Sequence, residues 1–140
     1  KLVSLLKTDD NAYVRRATAW SLANYDNQIV LEPLINALKN DVAAVRLWSS
    51  SSLAEIGAIS SHNAQLAAEQ LLISLKIDNE PVVRSNCIWS LCRLFENLND
   101  IFQESFVDEC TKIALFDKEP SVMEEAKTAL DSMGMQGFYN

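Results

Sequence analysis

The chain has 140 residues and a mass of 15.6 kDa, with 49% apolar and 22% charged side chains and only three Gly and three Pro. So much apolar surface can offset chain entropy, which excludes disorder, and so few turn residues exclude a β-meander, which needs a turn about every 8–12 positions. A net charge of −7 and a pI near 4.6 set the chain against the phosphate backbone of a nucleic acid. The expectation is a single all-α domain over residues 1–140.

In chain order, an apolar-periodic stretch from Leu2 to Leu6 comes first, followed by Asp9 and Asp10 and then by Val14-Arg15. The same layout returns three times. Val30 to Leu38 precedes Asp41 and Val45-Arg46, Leu66 to Leu75 precedes Asp78 and Val83-Arg84, and Phe102 to Leu115 precedes Asp117 and Val122-Met123. Counted from each anchor Val, position 4 holds Thr18, Ser49, Cys87 and Ala126, and position 7 holds Ser21, Ser52, Ser90 and Ala129. Position 8 is always Leu (22, 53, 91, 130), and position 11 holds Tyr25, Ile56, Leu94 and Met133. These steps trace one face of a helix at about 100° per residue, with small residues that let a neighbouring helix approach. The reading is four helical hairpins, at residues 1–26, 28–58, 63–98 and 100–134. The longer last two units reflect extended first helices or links near Ser60 to Asn63 and Asn97 to Asp100.

Local signals agree with this. Asp, Asn, Ser or Thr before a second helix can cap its free N–H groups. Pro81 and Pro120 fall at helix starts, where a missing N–H costs nothing. Gly57 and Gly134, at position 12, are expected to be left-handed C-caps; the third glycine, Gly137, is isolated from both. Three cysteines make an odd number without a Cys-x-x-Cys pair, and Cys87 and Cys92 lie about 140° apart on a helix. They point to a reduced, cytoplasmic setting. No apolar run reaches the ~18 residues that span a bilayer. The chain opens at Lys1 inside an amphipathic run, and the expectation is a fragment lacking its natural start.

The segments Leu5 to Ala17 (Leu-Leu-Lys-x-Asp-x-x-x-x-Val-Arg-Arg-Ala), Glu32 to Lys39 (Glu-Pro-Leu-Ile-x-Ala-Leu-Lys) and the Val-Arg anchors resemble the HEAT-repeat superfamily, in particular the HEAT-like repeats of phycobilisome-lyase proteins. The resemblance implies an α-α superhelix of about four hairpins. It also implies a structural ladder between units, with Asp9 or Asp10, Asp41 and Asp78 as acceptors and Arg15, Arg46 and Arg84 as donors. Met123 replaces the Arg in the fourth unit, so the ladder is expected to stop there, as suits a terminal cap.

In such a solenoid the second helices line the concave side, and positions 2, 6 and 10 after the anchor look into the groove. Trp20 and Trp89 both stand at position 6, flanked by Arg16 and Arg93 and with Leu47 between them. Aromatics beside Arg are the composition of binding hot spots, and these five residues are the candidate partner-binding set. Trp48, on the helix flank, is expected in the core. The acidic excess lies in the second half, where residues 62–140 carry thirteen acidic and six basic side chains; it reads as a solvated end to the array rather than as a docking site for a basic partner.

Reactive chemistry is sparse. His62 is the sole histidine and sits in a link, the serines at 49–52 lack a nucleophile elbow, and no Gly-rich phosphate loop exists. No catalytic or metal residue is assigned. The leading expectation is a non-catalytic scaffold that binds a protein partner, without a cofactor. The alternative, implied by the lyase resemblance, is a subunit or chaperone of a bilin lyase acting on phycobiliproteins, with a phycobiliprotein or lyase subunit as partner. Trp20 and Trp89 would then stack on an open-chain tetrapyrrole held transiently, Arg16 or Arg93 would pair with its propionates, and Cys92 would be the carrier thiol if it were not buried.

Overall fold

The computed structural model describes residues 1–25 and 28–134; Asp26, the expected end of the first unit, and Gly137 lie outside them. The described residues form eight α-helices and no strand: α1 (Leu2–Thr8), α2 (Ala12–Leu22), α3 (Leu31–Asn40), α4 (Ala43–Gly57), α5 (Ser61–Ile77), α6 (Pro81–Leu94), α7 (Asp100–Phe116) and α8 (Pro120–Ser132). Consecutive helices pair as hairpins. α2, α4, α6 and α8 then pack in series as one layer, and α1, α3, α5 and α7 as the other. The even layer is the more closely packed of the two.

The columns read from the sequence explain that closeness. Position 4 is buried in all four units, and the position-8 leucines are all at most 1% exposed, each contributing about 2 kcal/mol by leaving water. The serine run of α4 works between units. Ser52 donates from Oγ to the Ala19 carbonyl at 2.6 Å, and one unit later Ser90 donates to the Ser50 carbonyl at 2.8 Å. Asn86 donates from Nδ2 to Ser50 Oγ at 2.6 Å and Ser51 Oγ at 2.7 Å. Ser49 Oγ is buried without a hydrogen-bond partner. Trp48 is partly buried against the core, as expected.

Each link is organised by the Asp that ends the first helix. Asp9, Asp41, Asp78 and Asp117 are the C-cap residues of α1, α3, α5 and α7, where the chain turns to extended geometry. Their carboxylates accept from the backbone N–H of Asn11, Val42, Glu80 and Glu119 respectively. These side-chain turns compete with further helix and end it. The capping expectation holds at α2, where Asn11 accepts from the Tyr13 N–H. The residues directly before α4, α6 and α8 (Val42, Glu80, Glu119) make no side-chain cap. Pro81 and Pro120 do occupy the first turns of α6 and α8.

The structure corrects two local readings and decides a third. Ser60 to Asn63 is a helix start rather than a link: Ser60 caps α5 through the Asn63 N–H, and His62 is an exposed residue of its first turn. Extended first helices account for much of the longer units, since α5 and α7 have 17 residues each against 10 in α3. Gly134 is left-handed at φ 77°, as expected, but Gly57 is not. Gly57 is required by proximity, because a Cβ there would stand 3.0 Å from Leu94 Cδ2 and 3.3 Å from Ala67 Cβ.

Candidate functional site

Across each junction between units, an arginine of one second helix reaches forward to the link of the next hairpin. Arg15 donates from Nε and Nη2 to the two carboxylate oxygens of Asp41, both at 2.9 Å, and from Nη1 to the Asp9 carbonyl at 2.8 Å. Arg46 repeats this with Asp78 at 2.8 and 3.0 Å and the Asp41 carbonyl at 2.8 Å. Arg84 forks a single nitrogen to Asp117 at 3.0 and 3.3 Å and donates to the Asp78 carbonyl at 3.0 Å. Two-nitrogen pairing fixes orientation as well as charge, so the first two rungs are the tighter ones. Burial alone would raise the Asp41 pKa, but the hydrogen bonds from Arg15 and the Val42 N–H prevail and hold it below the ordinary carboxylate value.

The ladder differs in detail from the sequence reading. Asp9 contributes its main-chain carbonyl rather than its carboxylate. Asp10 is exposed and acts on Arg15 through its charge, without a hydrogen bond to it. Asp117 is the last carboxylate acceptor; its place in the Asp column was visible, yet Met123 suggested that the ladder ended before it.

The outward face of the even layer carries the partner-binding candidates. Trp20 and Trp89 are 56% and 46% exposed, on helices whose position-4 and position-8 residues are buried. Arg16 lies 5.3 Å from the centre of the Tyr13 ring, a cation–π contact, and Tyr13 itself is 74% exposed. Arg93 is paired with Glu55 of the preceding unit at 3.0 Å, both side chains partly exposed. Leu47 is half-buried and packs against the core, so it forms floor rather than wall. The sequence reading missed Tyr13 and Val82, exposed residues directly before the anchors Val14 and Val83. Their column lies outside positions 2, 6 and 10, and only their exposure reveals them.

The thiols sit differently. Cys87 and Cys110 are buried, and burial raises both pKa values well above the ordinary thiol value. Cys92 is largely buried, and burial pushes its pKa up to about 11 against a weaker lowering by Ser132. Among the described residues no group of His, Cys, Asp and Glu is arranged to hold a metal ion, and no helix is long and apolar enough to cross a membrane.

Two layers of helices joined as one row of hairpins, locked by a repeated Arg–Asp rung, define an α-solenoid. The chain belongs to the HEAT-repeat family, whose model matches residues 1–92. The match ends inside α6, short of the fourth hairpin, whose Met123 interrupts the Arg column. The fold is also that of a solved structure, the designed armadillo repeat protein YIII(Dq.V1)4CPAF in complex with the peptide (KR)4, at 19% identity and a TM-score of 0.64 over 98% of this chain and 70% of that one. No curated protein matches the sequence.

Proposed function

We propose that the chain is a non-catalytic helical-repeat scaffold that holds an extended segment of a protein partner along the exposed face of α2, α4 and α6. The observation that carries this is the pair of exposed indoles at the same repeat position, Trp20 and Trp89, on helices whose position-4 and position-8 columns are buried. An exposed aromatic offers large contact area at low entropic cost, which is why such residues anchor interfaces. The floor between them joins the apolar Leu47 to the polar Ser51 and Asn86, and the Asn86–Ser51 bond keeps those polar groups in fixed orientation. The armadillo neighbour was solved with a (KR)4 peptide, which supports an extended peptide as the occupant and supplies the probe.

The test is titration of the full chain with the (KR)4 peptide, read by tryptophan fluorescence and calorimetry. The expected result is saturable binding that weakens at least tenfold in the Trp20→Ala/Trp89→Ala double variant. Stability of that variant should fall by no more than about 1 kcal/mol, as for two surface positions. Wild-type binding that survives both replacements would remove the indoles from the reading.

A second reading, the bilin-lyase subunit or chaperone, draws support from the same indoles and from Arg16, which could stack on and pair with a tetrapyrrole. Cys92 weighs against a covalent carrier role, because a thiol with a pKa near 11 is almost wholly protonated at neutral pH. A free bilin mixed with the protein should show a shifted visible band if this reading holds, and none if the scaffold reading holds alone.

A further inference from the structure

Each first helix ends on the residue before its link Asp, and the four units fill that place differently. Thr8 and Asn40 end α1 and α3, whereas Ile77 and Phe116 end α5 and α7. All four are exposed. Asn40 and Ile77 belong to hairpins with a neighbour on either side, so the stacking of units does not bury this place. Ile77 and Phe116 are 74% and 79% exposed, and a second exposed apolar side chain extends each, Ile73 one turn before Ile77 and Leu115 beside Phe116. A helix end needs nothing apolar there, as Thr8 and Asn40 show. Exposed apolar residues scattered singly are ordinary, but four grouped at one edge of adjacent units form a patch. The ends of odd helices make this edge, which is distinct from the even-helix face that carries Trp20 and Trp89.

The patch borders two recesses. One of about 450 Å³ opens between the ends of α3 and α5 and is lined by Leu38, Ile73 and Ile77; the other, of about 400 Å³, opens between α5 and α7 and is lined by Leu75, Ile113 and Phe116. The local charge departs from that of the whole chain. At the first recess Asp41, Arg46 and Asp78 are rung members, while Lys39 makes no ion pair among the described residues. At the second, Glu109 and Glu119 offset Lys76 and Lys118, and Lys112 adds an exposed cation without an ion pair one turn before Phe116. Lys39 and Lys76 stand in the last turns of their helices, where the helix dipole accounts for them. Lys112 and Lys118 lie outside the last turn of α7 and have no such account.

We propose that Ile77 and Phe116, with Ile73 and Leu115, dock an amphipathic helix of a partner protein whose apolar face is flanked by acidic side chains. The spacing selects a helix. Neighbouring helix axes lie about 8–10 Å apart, and residues i and i+7 of a partner helix share one face at a separation of about 10 Å. A single helix laid across the ends of α5 and α7 therefore reaches both recesses. Residues of an extended strand at that distance are three apart and point to opposite sides. Lys39 at one end of the patch and Lys112 at the other select acidic flanks. An anionic bilayer would meet the same lysines but cannot fill two recesses of this size.

The test titrates the isotope-labelled full chain with helical peptides of about 15 residues, carrying Leu, Ile or Phe at i, i+4 and i+7 and Glu at both flanks, and follows the amide resonances. The expected result is saturable binding of at least one peptide, with shifts grouped at Ile73, Ile77, Leu115 and Phe116 and none at Trp20 or Trp89. Ile77→Asn combined with Phe116→Thr, the residue types that end α3 and α1, should weaken binding at least tenfold and leave the thermal midpoint within about 2 °C. Peptides with Lys in place of Glu should bind at least tenfold more weakly to the unaltered chain. No binding of any peptide at millimolar concentration would overturn the proposal, as would binding that the double variant leaves intact. So would capture by phosphatidylserine vesicles, lost in the double variant, where the peptides fail, which would make a lipid surface the occupant. Self-association of the chain that the same variant abolishes would overturn it in favour of a second copy.

Discussion

Val14 and Val122 occupy the same column of the first and last hairpins, yet Val122 is fully buried and Val14 is not. The two outermost described hairpins differ on their outer sides. The last hairpin turns Glu124, Glu125, Thr128 and Asp131 outward from α8, side chains that water solvates at little cost. The first keeps the valine, small-residue and serine columns of an internal unit on its outer side. A position in a repeat is therefore buried by what the adjacent unit supplies, and residue type alone does not say whether that unit is present.

The sharpest way to test this contrast is to break a rung inside the array and its counterpart at the open end. Arg46→Ala removes a guanidinium from Asp78, a pair whose side chains are 17% and 6% exposed, and should cost about 3 kcal/mol in chemical denaturation because it strands a buried carboxylate. Asp9→Ala, in the same ladder column but without an Arg, should cost about 1 kcal/mol or less, the value of its one turn hydrogen bond. Equal losses would mean that the inner and outer positions of the column are not different in kind.

Position 12 offers a second comparison of smaller size. Gly57→Ala should destabilise by about 1–3 kcal/mol through overpacking against the fully buried Leu94. Gly134→Asn should change stability by less than about 1 kcal/mol, since nothing lies within 4 Å of a Cβ there and Asn tolerates the left-handed region. The smallest effect is expected at position 7. Ser52→Ala should cost about 1 kcal/mol with its 2.6 Å bond to the Ala19 carbonyl, whereas Ser21→Ala, on the open face, should fall within about 0.5 kcal/mol of wild type.

Much of this was legible from residues alone. The Val-Arg anchors, the leucines at position 8 and the Asp of each link placed every hairpin, and their helical spacing named the packed face. Trp20 and Trp89 were readable as outward-facing for the same reason: position 6 lies opposite columns that must be buried. The state of Arg16 and Arg93 was not readable, because Tyr13 and Glu55 reach them through side-chain geometry and, for Arg93, across a junction. Gly57 shows the same limit, since its role depends on Leu94, far away in the chain.

The sequence by itself determined the period, the hairpin count and the sides of each second helix, because a helix fixes side-chain direction locally at about 100° per residue. Only the tertiary structure decided which carboxylate each Arg reaches, that Asp117 and not Asp10 takes part in the ladder, and that Tyr25 stands in the open. Those outcomes depend on how one hairpin is set against the next, and that setting comes from contacts between residues 26 to 40 positions apart.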